Sequence, residues 1–267
     1  MRPGVAVRPR AADRSVLSRP EALYAIFAFN TVLIVTLWWF SSGFEMGRSG
    51  ADFLNGLGRV TGLVGTYLVL WQLLLMARVP WLEHALGLEF MAVLHKWNGY
   101  LAIGLLVAHG VFQTLGYQLG DGKDVAAQLA DFISSYEGML AAIVALGLFG
   151  AVVGLSITIA RRRLSYETWY FVHLYTYLAI ALAFSHQLAT GVDFAGNMVF
   201  TGYWYLLYAV VIALQVDYRV AGSVPVFQRH RLRVRCGAGK DAGVLSVHCG
   251  GDNRAALSHE RGWTPRV

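Results

Sequence analysis

The sequence predicts an all-α integral membrane protein, a six-helix transmembrane bundle followed by a short C-terminal β segment. Hydrophobic residues make up 56% of the 267 residues and charged residues only 14%, which is too apolar for an ordinary soluble domain. Six apolar runs approach the roughly 20 residues that a helix needs to cross a bilayer core about 30 Å thick. Basic residues concentrate at alternate ends of these runs, as they do beside membrane spans.

The predicted domain boundaries follow these runs. Residues 1–20 form a basic N-terminal arm, residues 21–220 form the bundle and residues 221–267 form the tail. The predicted spans cover, in order, residues 21–40, 53–76, 88–117, 136–160, 166–188 and 199–216.

The distribution of charge predicts the orientation. The arm holds five arginines, Arg161, Arg162 and Arg163 lie between the fourth and fifth spans, and the tail after Asp217 is strongly basic. The alternate connections are poor in basic residues. By the positive-inside rule both termini are cytoplasmic, in a multi-pass protein of the cell membrane. The net charge of +6 follows from these flanking residues, so it does not indicate a nucleic-acid partner.

The tail has a different pattern. The segments Arg229–Arg235 and Gly243–Cys249 alternate with period two, as half-buried strands do. Roughly forty soluble residues are too few for a stable domain of their own, so the tail resembles the start of an incomplete domain. Its cysteines, Cys236 and Cys249, match no zinc or redox spacing.

Four histidines lie inside the predicted spans. His95 and His109 are fourteen residues apart on the third span, and His173 and His186 are thirteen apart on the fifth. Fourteen residues of helix span about 21 Å and fall only about 40° short of four whole turns, so both rings point to one side. Thirteen residues leave His186 roughly 140° away from His173, which calls for overwinding or a bend near residues 184–185.

This arrangement suits two haems of b type stacked across a membrane, each held by one histidine from each helix. Other readings remain open. A single intramembrane histidine can bond a neighbouring helix, and a proton relay would normally include an intramembrane carboxylate, which is absent here. A zinc site is disfavoured, because the two levels lie too far apart to share one ion. The remaining histidines, His84, His230, His248 and His259, are expected to be exposed or structural.

The pattern His95-x13-His109 followed by His173-x12-His186 resembles the ferric reductase/NADPH oxidase transmembrane family. The segments LHKWNGYLAIGLLVAH (residues 94–109) and WYFVHLYTYLAIALAFSH (residues 169–186) are similar to its two haem helices. The segments GRVTGLVG (residues 58–65) and LMARVP (residues 75–80) are similar to its bacterial members.

The resemblance implies ligands for two haems. His95 and His173 would hold the haem nearer the cytoplasm, and we call them the inner pair. His109 and His186 would hold the other haem, and we call them the outer pair. Arg59 is expected to meet a propionate of the outer haem, because a charge near the end of a span is costly unless it is paired; the alternative is extension to the lipid headgroups. Lys96 is expected to extend to the cytoplasmic surface.

The family often places an aromatic residue between the haems on the fifth helix, where this sequence has Leu178, Ala179 and Ile180. Full-length members continue into a β-barrel that binds FAD and a domain that binds NAD(P)H. Neither a flavin motif nor a glycine-rich nucleotide loop follows here. FAD and NAD(P)H are therefore expected only through domains missing from a truncated chain or through a separate flavoprotein.

The function predicted from these features is electron transfer through two haems, from a cytoplasmic flavin or NAD(P)H donor to an external acceptor, a ferric chelate or oxygen. The chain alone would be an incomplete oxidoreductase module with no catalytic side chain of its own. One alternative is a haem-binding subunit that takes electrons from quinone or a flavoprotein for a periplasmic partner. Another is a transporter or membrane scaffold without a cofactor, which would be expected to show broken paired helices. A third is a degraded product that folds without working.

Overall fold

The computed structural model describes residues 20–157, 162–194 and 197–220, and all regular structure within them is helical. The chain divides into two compact units, residues 1–219 and 220–267, and the contacts described below belong to the first. Its helices are α1 (Pro20–Ser41), α2 (Gly50–Met76), α3 (Pro80–Leu86), α4 (Leu88–Asp121), α5 (Val125–Ser135), α6 (Met139–Ser156), α7 (Tyr166–Thr190) and α8 (Met198–Gln215). A short 3-10 turn (Gly43–Gly47) follows α1, and a π turn (Val216–Val220) ends α8.

Each predicted span corresponds to a helix, namely α1, α2, α4, α6, α7 and α8. The helix α4 runs four residues beyond its predicted end at residue 117. It stops at Gly122, whose φ of 67° is a left-handed conformation that ends helices and that glycine adopts readily. The helix α6 is shorter than its predicted span at both ends.

The two helices α3 and α5 were not predicted. Pro80 opens α3, where its fixed φ suits the first turn. The side chain of Asp124 caps α5 by accepting the backbone N–H of Ala127 at 2.9 Å. Both helices are too short to cross a bilayer, and each connects two longer helices.

Five described helices are long and apolar enough to cross a membrane, namely α1, α2, α4, α6 and α8, with the span of the last reaching Arg219. The helix α7 is not among them, although its 25 residues suffice in length. Glu167 is its one charged residue. The polar side chains of His173, His186 and Gln187 also lower the mean hydropathy of this helix. The chain is therefore a helical multi-pass membrane protein with five spans identified by length and composition.

Several predictions lie outside the described residues. The arm up to residue 19, the strands predicted at Arg229–Arg235 and Gly243–Cys249, and both cysteines belong to this group. The domain boundaries proposed for the arm and the tail therefore stay predictions.

The helix α2 lies at the centre of the described bundle. On one side Leu63, Tyr67 and Leu70 pack against α1 and α8, in a cluster that includes the fully buried Ile34 and Phe200. On another side Leu68 and Val69 pack with Ala102 of α4, Phe149 of α6 and Ala179 of α7. These two clusters place α2 between the α1/α8 layer and the α4/α6/α7 layer.

The helices α2 and α4 run antiparallel and in close contact. Gly62 faces His109, and Gly116 faces Asn55; because glycine has no Cβ, the two backbones can approach closely. The Asn98 amide of α4 donates to the Leu68 carbonyl at 2.9 Å and to the Gln72 side-chain oxygen at 2.7 Å. Hydrogen bonds of this kind contribute about 0.6 kcal/mol each in membrane proteins, and they fix the register of the two helices.

The outward faces of the helices are strongly apolar. Phe29 of α1 is 65% exposed, Leu101 of α4 is 57% exposed and Leu140 of α6 is 63% exposed. An apolar surface of this extent is costly in water, whereas hydrocarbon is as apolar as leucine. The lipid bilayer is therefore the surrounding that this surface fits.

Candidate functional site: two histidine pairs between α4 and α7

The inner pair consists of His95 on α4 and His173 on α7. The centres of the two rings lie 6.0 Å apart, and the ring planes make an angle of 48°. Both side chains are partly buried. The structure therefore brings together the two histidines that the sequence predicted to act at one level.

The outer pair consists of His109 and His186 on the same two helices. Their ring centres are 6.5 Å apart and their planes make an angle of 64°. The rings meet although residues 166–190 form one continuous α-helix and although the thirteen-residue spacing predicted a poor register. The pairing expected for the outer level is thus present in the geometry.

The spacing of both pairs fits a metal held between two imidazoles. A metal ion lies about 2 Å from each ligating nitrogen, which places the two ring centres roughly 6 Å apart. Within the described residues, three or more histidine, cysteine, aspartate or glutamate side chains nowhere gather as a metal site. Two imidazoles at this separation fit a haem iron with a histidine on each face, since the porphyrin supplies the other four ligands.

The outer pair also has the hydrogen bonds that orient metal ligands. Nδ1 of His109 donates to the main-chain carbonyl of Gly58 at 2.8 Å. Nδ1 of His186 lies 3.0 Å from the hydroxyl oxygen of Thr190. Because a carbonyl can only accept, the bond to Gly58 puts the proton of His109 on Nδ1 and leaves Nε2 as its free nitrogen for a metal.

Gly62 makes the position of His109 possible. A Cβ atom at residue 62 would lie 2.6 Å from Nδ1 of His109, which is closer than such atoms approach in proteins. The ring consequently rests against the backbone of α2, where it reaches the Gly58 carbonyl.

The inner pair is held differently. Nδ1 of His95 and Nδ1 of His173 are buried and have no hydrogen-bond partner among the described residues. The indole of Trp169 stacks instead on the His173 ring, with centres 5.1 Å apart and planes at 32°. Nε1 of Trp169 donates to the hydroxyl of Ser156 at 3.2 Å, which ties the start of α7 to the end of α6.

Arg59 lies on α2 next to Gly58, whose carbonyl accepts from the outer pair. Its Nε is buried and has no hydrogen-bond partner in the part of the chain that the structure describes. A buried guanidinium nitrogen without an acceptor is unfavourable. The position therefore fits an anionic group, such as a haem propionate, beside the outer pair.

Midway between the two levels, α7 carries the aliphatic residues Leu178, Ala179 and Ile180. Ala179 is fully buried and packs in the cluster with Ala102 and Phe149, and Ile180 joins its edge. Lys96 is exposed and its ammonium lies 5.5 Å from the ring centre of Trp97. His84 lies apart from both pairs, on α3, where its ring contacts the Pro80 carbonyl.

Three contributors to this site were not predicted, namely the Gly58 carbonyl, Gly62 and the Thr190 hydroxyl. A main-chain carbonyl has no side-chain signature, so the sequence could not identify the first. The glycines at 58 and 62 have the spacing of closely packed membrane helices, and a threonine one helical turn after a ligand can reach back to it. These two signals were available in the sequence.

Part of the chain matches a known family. Residues 61–184 match the family described as ferric reductase like transmembrane component. The match includes His95, His109 and His173, and it ends two residues before His186. No curated protein matches the chain. Residues 61–184 are therefore similar to a ferric reductase-like transmembrane domain, and the chain is a helical multi-pass membrane protein.

Proposed function

We propose that this protein moves electrons across a membrane through two b-type haems, one held by the inner pair and one by the outer pair. A ferric reductase-like transmembrane domain implies transmembrane electron transfer at a coarse level. The observation that carries the finer proposal is the separation of the ring centres, 6.0 Å and 6.5 Å, in two pairs between the same two helices.

Each bound haem would supply a one-electron iron couple that needs no open coordination position. The residues of the chain would provide the rest. The four histidines would ligate, Gly58 and Thr190 would orient the outer rings, and the apolar packing of Ala179 with Ala102 and Phe149 would keep water out between the levels. Arg59 would neutralise a propionate of the outer haem.

The direction of electron flow follows from the predicted orientation. Electrons would enter at the inner pair from a cytoplasmic flavin or NAD(P)H donor, supplied by a further domain or a separate flavoprotein. They would leave at the outer pair for an external ferric chelate or oxygen. The helix α7 would then be the sixth span, since both of its histidines pair with those of α4 at two depths.

The first test is a reduced-minus-oxidised visible spectrum of the purified full chain, with haem quantified as the pyridine haemochrome. We expect two b-type haems per chain. His109→Leu and His186→Leu should each leave one haem, because each removes an axial ligand of the same group.

His84→Leu is the matched control, since this histidine lies on α3 outside both pairs, and it should keep two haems. Two full haems in either outer-pair variant would show that the pairing is wrong. A wild-type chain that binds no haem in cells able to supply it would overturn the electron-transfer proposal and return the transporter or scaffold readings.

A further inference from the structure

The two histidine pairs differ in what holds their rings. Both Nδ1 atoms of the outer pair have an oxygen within hydrogen-bond distance, at Gly58 and Thr190. Both Nδ1 atoms of the inner pair are buried without a partner among the residues described. Two groups bound at these levels would therefore have histidine ligands that differ in the hydrogen bonds at Nδ1.

The hydroxyl of Thr190 can accept a hydrogen bond from the His186 ring. A haem iron bound at Nε2 would leave the ring proton on Nδ1, which lies 3.0 Å from the hydroxyl oxygen. The hydroxyl hydrogen can then point to the main-chain carbonyl of His186, 3.0 Å away. Under the proposed function, Nδ1 is therefore the donor in this contact.

A hydrogen bond donated by Nδ1, the ring nitrogen that does not bind the metal, changes how strongly the imidazole donates electrons. It makes the imidazole a stronger electron donor to the metal, and second-shell bonds of this kind tune reduction potentials. A more basic ligand favours the oxidised iron, which carries the greater positive charge. The bond therefore acts toward a lower reduction potential at the outer pair, whereas at the inner pair the described residues place no side-chain hydroxyl against either Nδ1 atom.

We propose that Thr190 is a positioning residue that orients the His186 ring and lowers the reduction potential of the haem held by the outer pair. This inference rests on the proposed function, since it needs a haem at that pair. It goes beyond that function in assigning to one hydroxyl a selective effect on one of two chemically similar centres.

The chain offers a matched control on the same helix. Thr176 is partly buried like Thr190, and its hydroxyl donates to the main-chain carbonyl of His173 at 2.7 Å. Each threonine thus bonds the backbone of a predicted ligand, but only Thr190 also contacts a ring nitrogen. Replacing either threonine with valine removes a hydroxyl that bonds a main-chain carbonyl. Only the replacement of Thr190 also removes a contact with a ring nitrogen, so the two variants separate these effects.

The experiment is a potentiometric titration of the purified full-length protein, followed by visible and low-spin EPR spectra. Thr190→Val should move one of the two haem transitions to a higher potential and change one of the two EPR signals. The affected transition should be the one that His109→Leu lacks. Thr190→Ser, which keeps the hydroxyl, should restore the wild-type value, and Thr176→Val should move neither transition.

Loss of the outer haem alone in Thr190→Val, with both haems retained in Thr190→Ser, would also support the positioning role. Unchanged potentials in Thr190→Val, or equal changes in Thr190→Val and Thr176→Val, would overturn it. Thr190→Ala is read by the same criteria if the valine variant does not accumulate. Absence of haem from the wild-type protein would instead contradict the proposed function, so the two failures are distinguishable.

Discussion

Arg59 is a partly buried arginine of α2, one residue after the carbonyl that accepts from His109. Its Nε has no hydrogen-bond partner among the described residues. Removing a charged group from water costs several kcal/mol unless it is paired. An anionic partner at this place, such as a propionate of the outer haem, would remove that cost.

Replacing Arg59 by glutamine should lower the reduction potential of one haem. A nearby positive charge disfavours the oxidised iron more than the reduced iron, so its removal favours oxidation. A redox titration of the two haems measures the effect, and Arg59→Lys should retain part of the potential because it retains the charge.

Arg48→Gln is the control for Arg59→Gln. The side chain of Arg48 is 63% exposed and pairs with Glu45 at 2.8 Å, so solvent screens its charge. This variant should leave both potentials unchanged. An equal shift in Arg48→Gln and Arg59→Gln would argue against a specific role for Arg59.

At the scale of single residues, the order of the spans and the family resemblance predicted which histidines meet, but not what orients them. The spacing of fourteen residues from His95 to His109 corresponds to nearly whole turns of α4, so the sequence places both rings on one side. The Gly58 carbonyl that fixes His109 belongs to another helix fifty-one residues away. The position of this carbonyl depends on how α2 and α4 pack. The spacing of residues within α4 carries no information about that packing.

At the scale of elements, the contact between α2 and α4 depends on the absence of side-chain atoms at particular points. Gly62 leaves space for the His109 ring, and Gly116 leaves space for Asn55. Hydrogen bonds that the side-chain amides of Asn98 and Gln113 donate to carbonyls of α2 then hold the register of the two helices. The outer pair is positioned by this contact rather than by α4 alone.

Gly62→Ala should destabilise the protein and disturb the outer haem. The added Cβ would lie 2.6 Å from Nδ1 of His109, so the ring or the helix must move, at a cost of about 1–3 kcal/mol. Thermal unfolding followed by haem absorbance measures the stability, and the haemochrome assay measures occupancy.

Gly104→Ala is the matched control for this glycine. It lies within α4, and a Cβ there would meet nothing within 4 Å. The change should stabilise the protein by less than about 1 kcal/mol, because alanine has a higher helix propensity than glycine. If Gly62→Ala behaved like Gly104→Ala, close packing at residue 62 would not be what positions His109.

Long apolar helices were predictable and short or polar ones were less so. The boundaries of α1 differ from the prediction by one residue at each end, because a run of apolar residues defines them. The helix α5 was missed because it combines an exposed apolar stripe, Val125, Leu129 and Ile133, with polar neighbours, and so lacks a uniform apolar signal. The helix α7 has the length of a span but not the apolarity.

At the scale of the whole molecule, composition was sufficient to predict a helical membrane protein. Phe29, Leu101 and Leu140 are exposed on the outward faces of the helices. A lipid bilayer is the surrounding that keeps such side chains away from water. Orientation is a different matter, because a bundle of apolar helices packs equally well whichever end faces the cytoplasm. That prediction depends on the arginines flanking the spans and stays a prediction.

Cysteine labelling would test orientation and the sixth span together. In a background with Cys236 and Cys249 replaced by serine, a cysteine at the exposed Val192 should react with a membrane-impermeant maleimide from outside intact cells. A cysteine at the exposed Arg163 should react only after permeabilisation, because α7 separates the two positions.

A cysteine at Lys123, in the connection before α5, is predicted to lie on the same side as Val192 and should be labelled with it. Labelling of residues 163 and 192 from the same side would show that α7 does not cross the membrane. Labelling of residue 163 alone in intact cells would show that the charge distribution misled the orientation.

The low apolarity of α7 also bears on biogenesis. A segment carrying His173, His186 and Gln187 has a weak intrinsic tendency to leave the translocon for lipid. Contacts with α6, such as that between Trp169 and Ser156, would help to retain it, but its imidazoles would stay without ligands until a haem arrives. Under the proposed function, cofactor loading would be the last step of membrane assembly, and haem-starved cells would degrade the chain instead of accumulating an apoprotein.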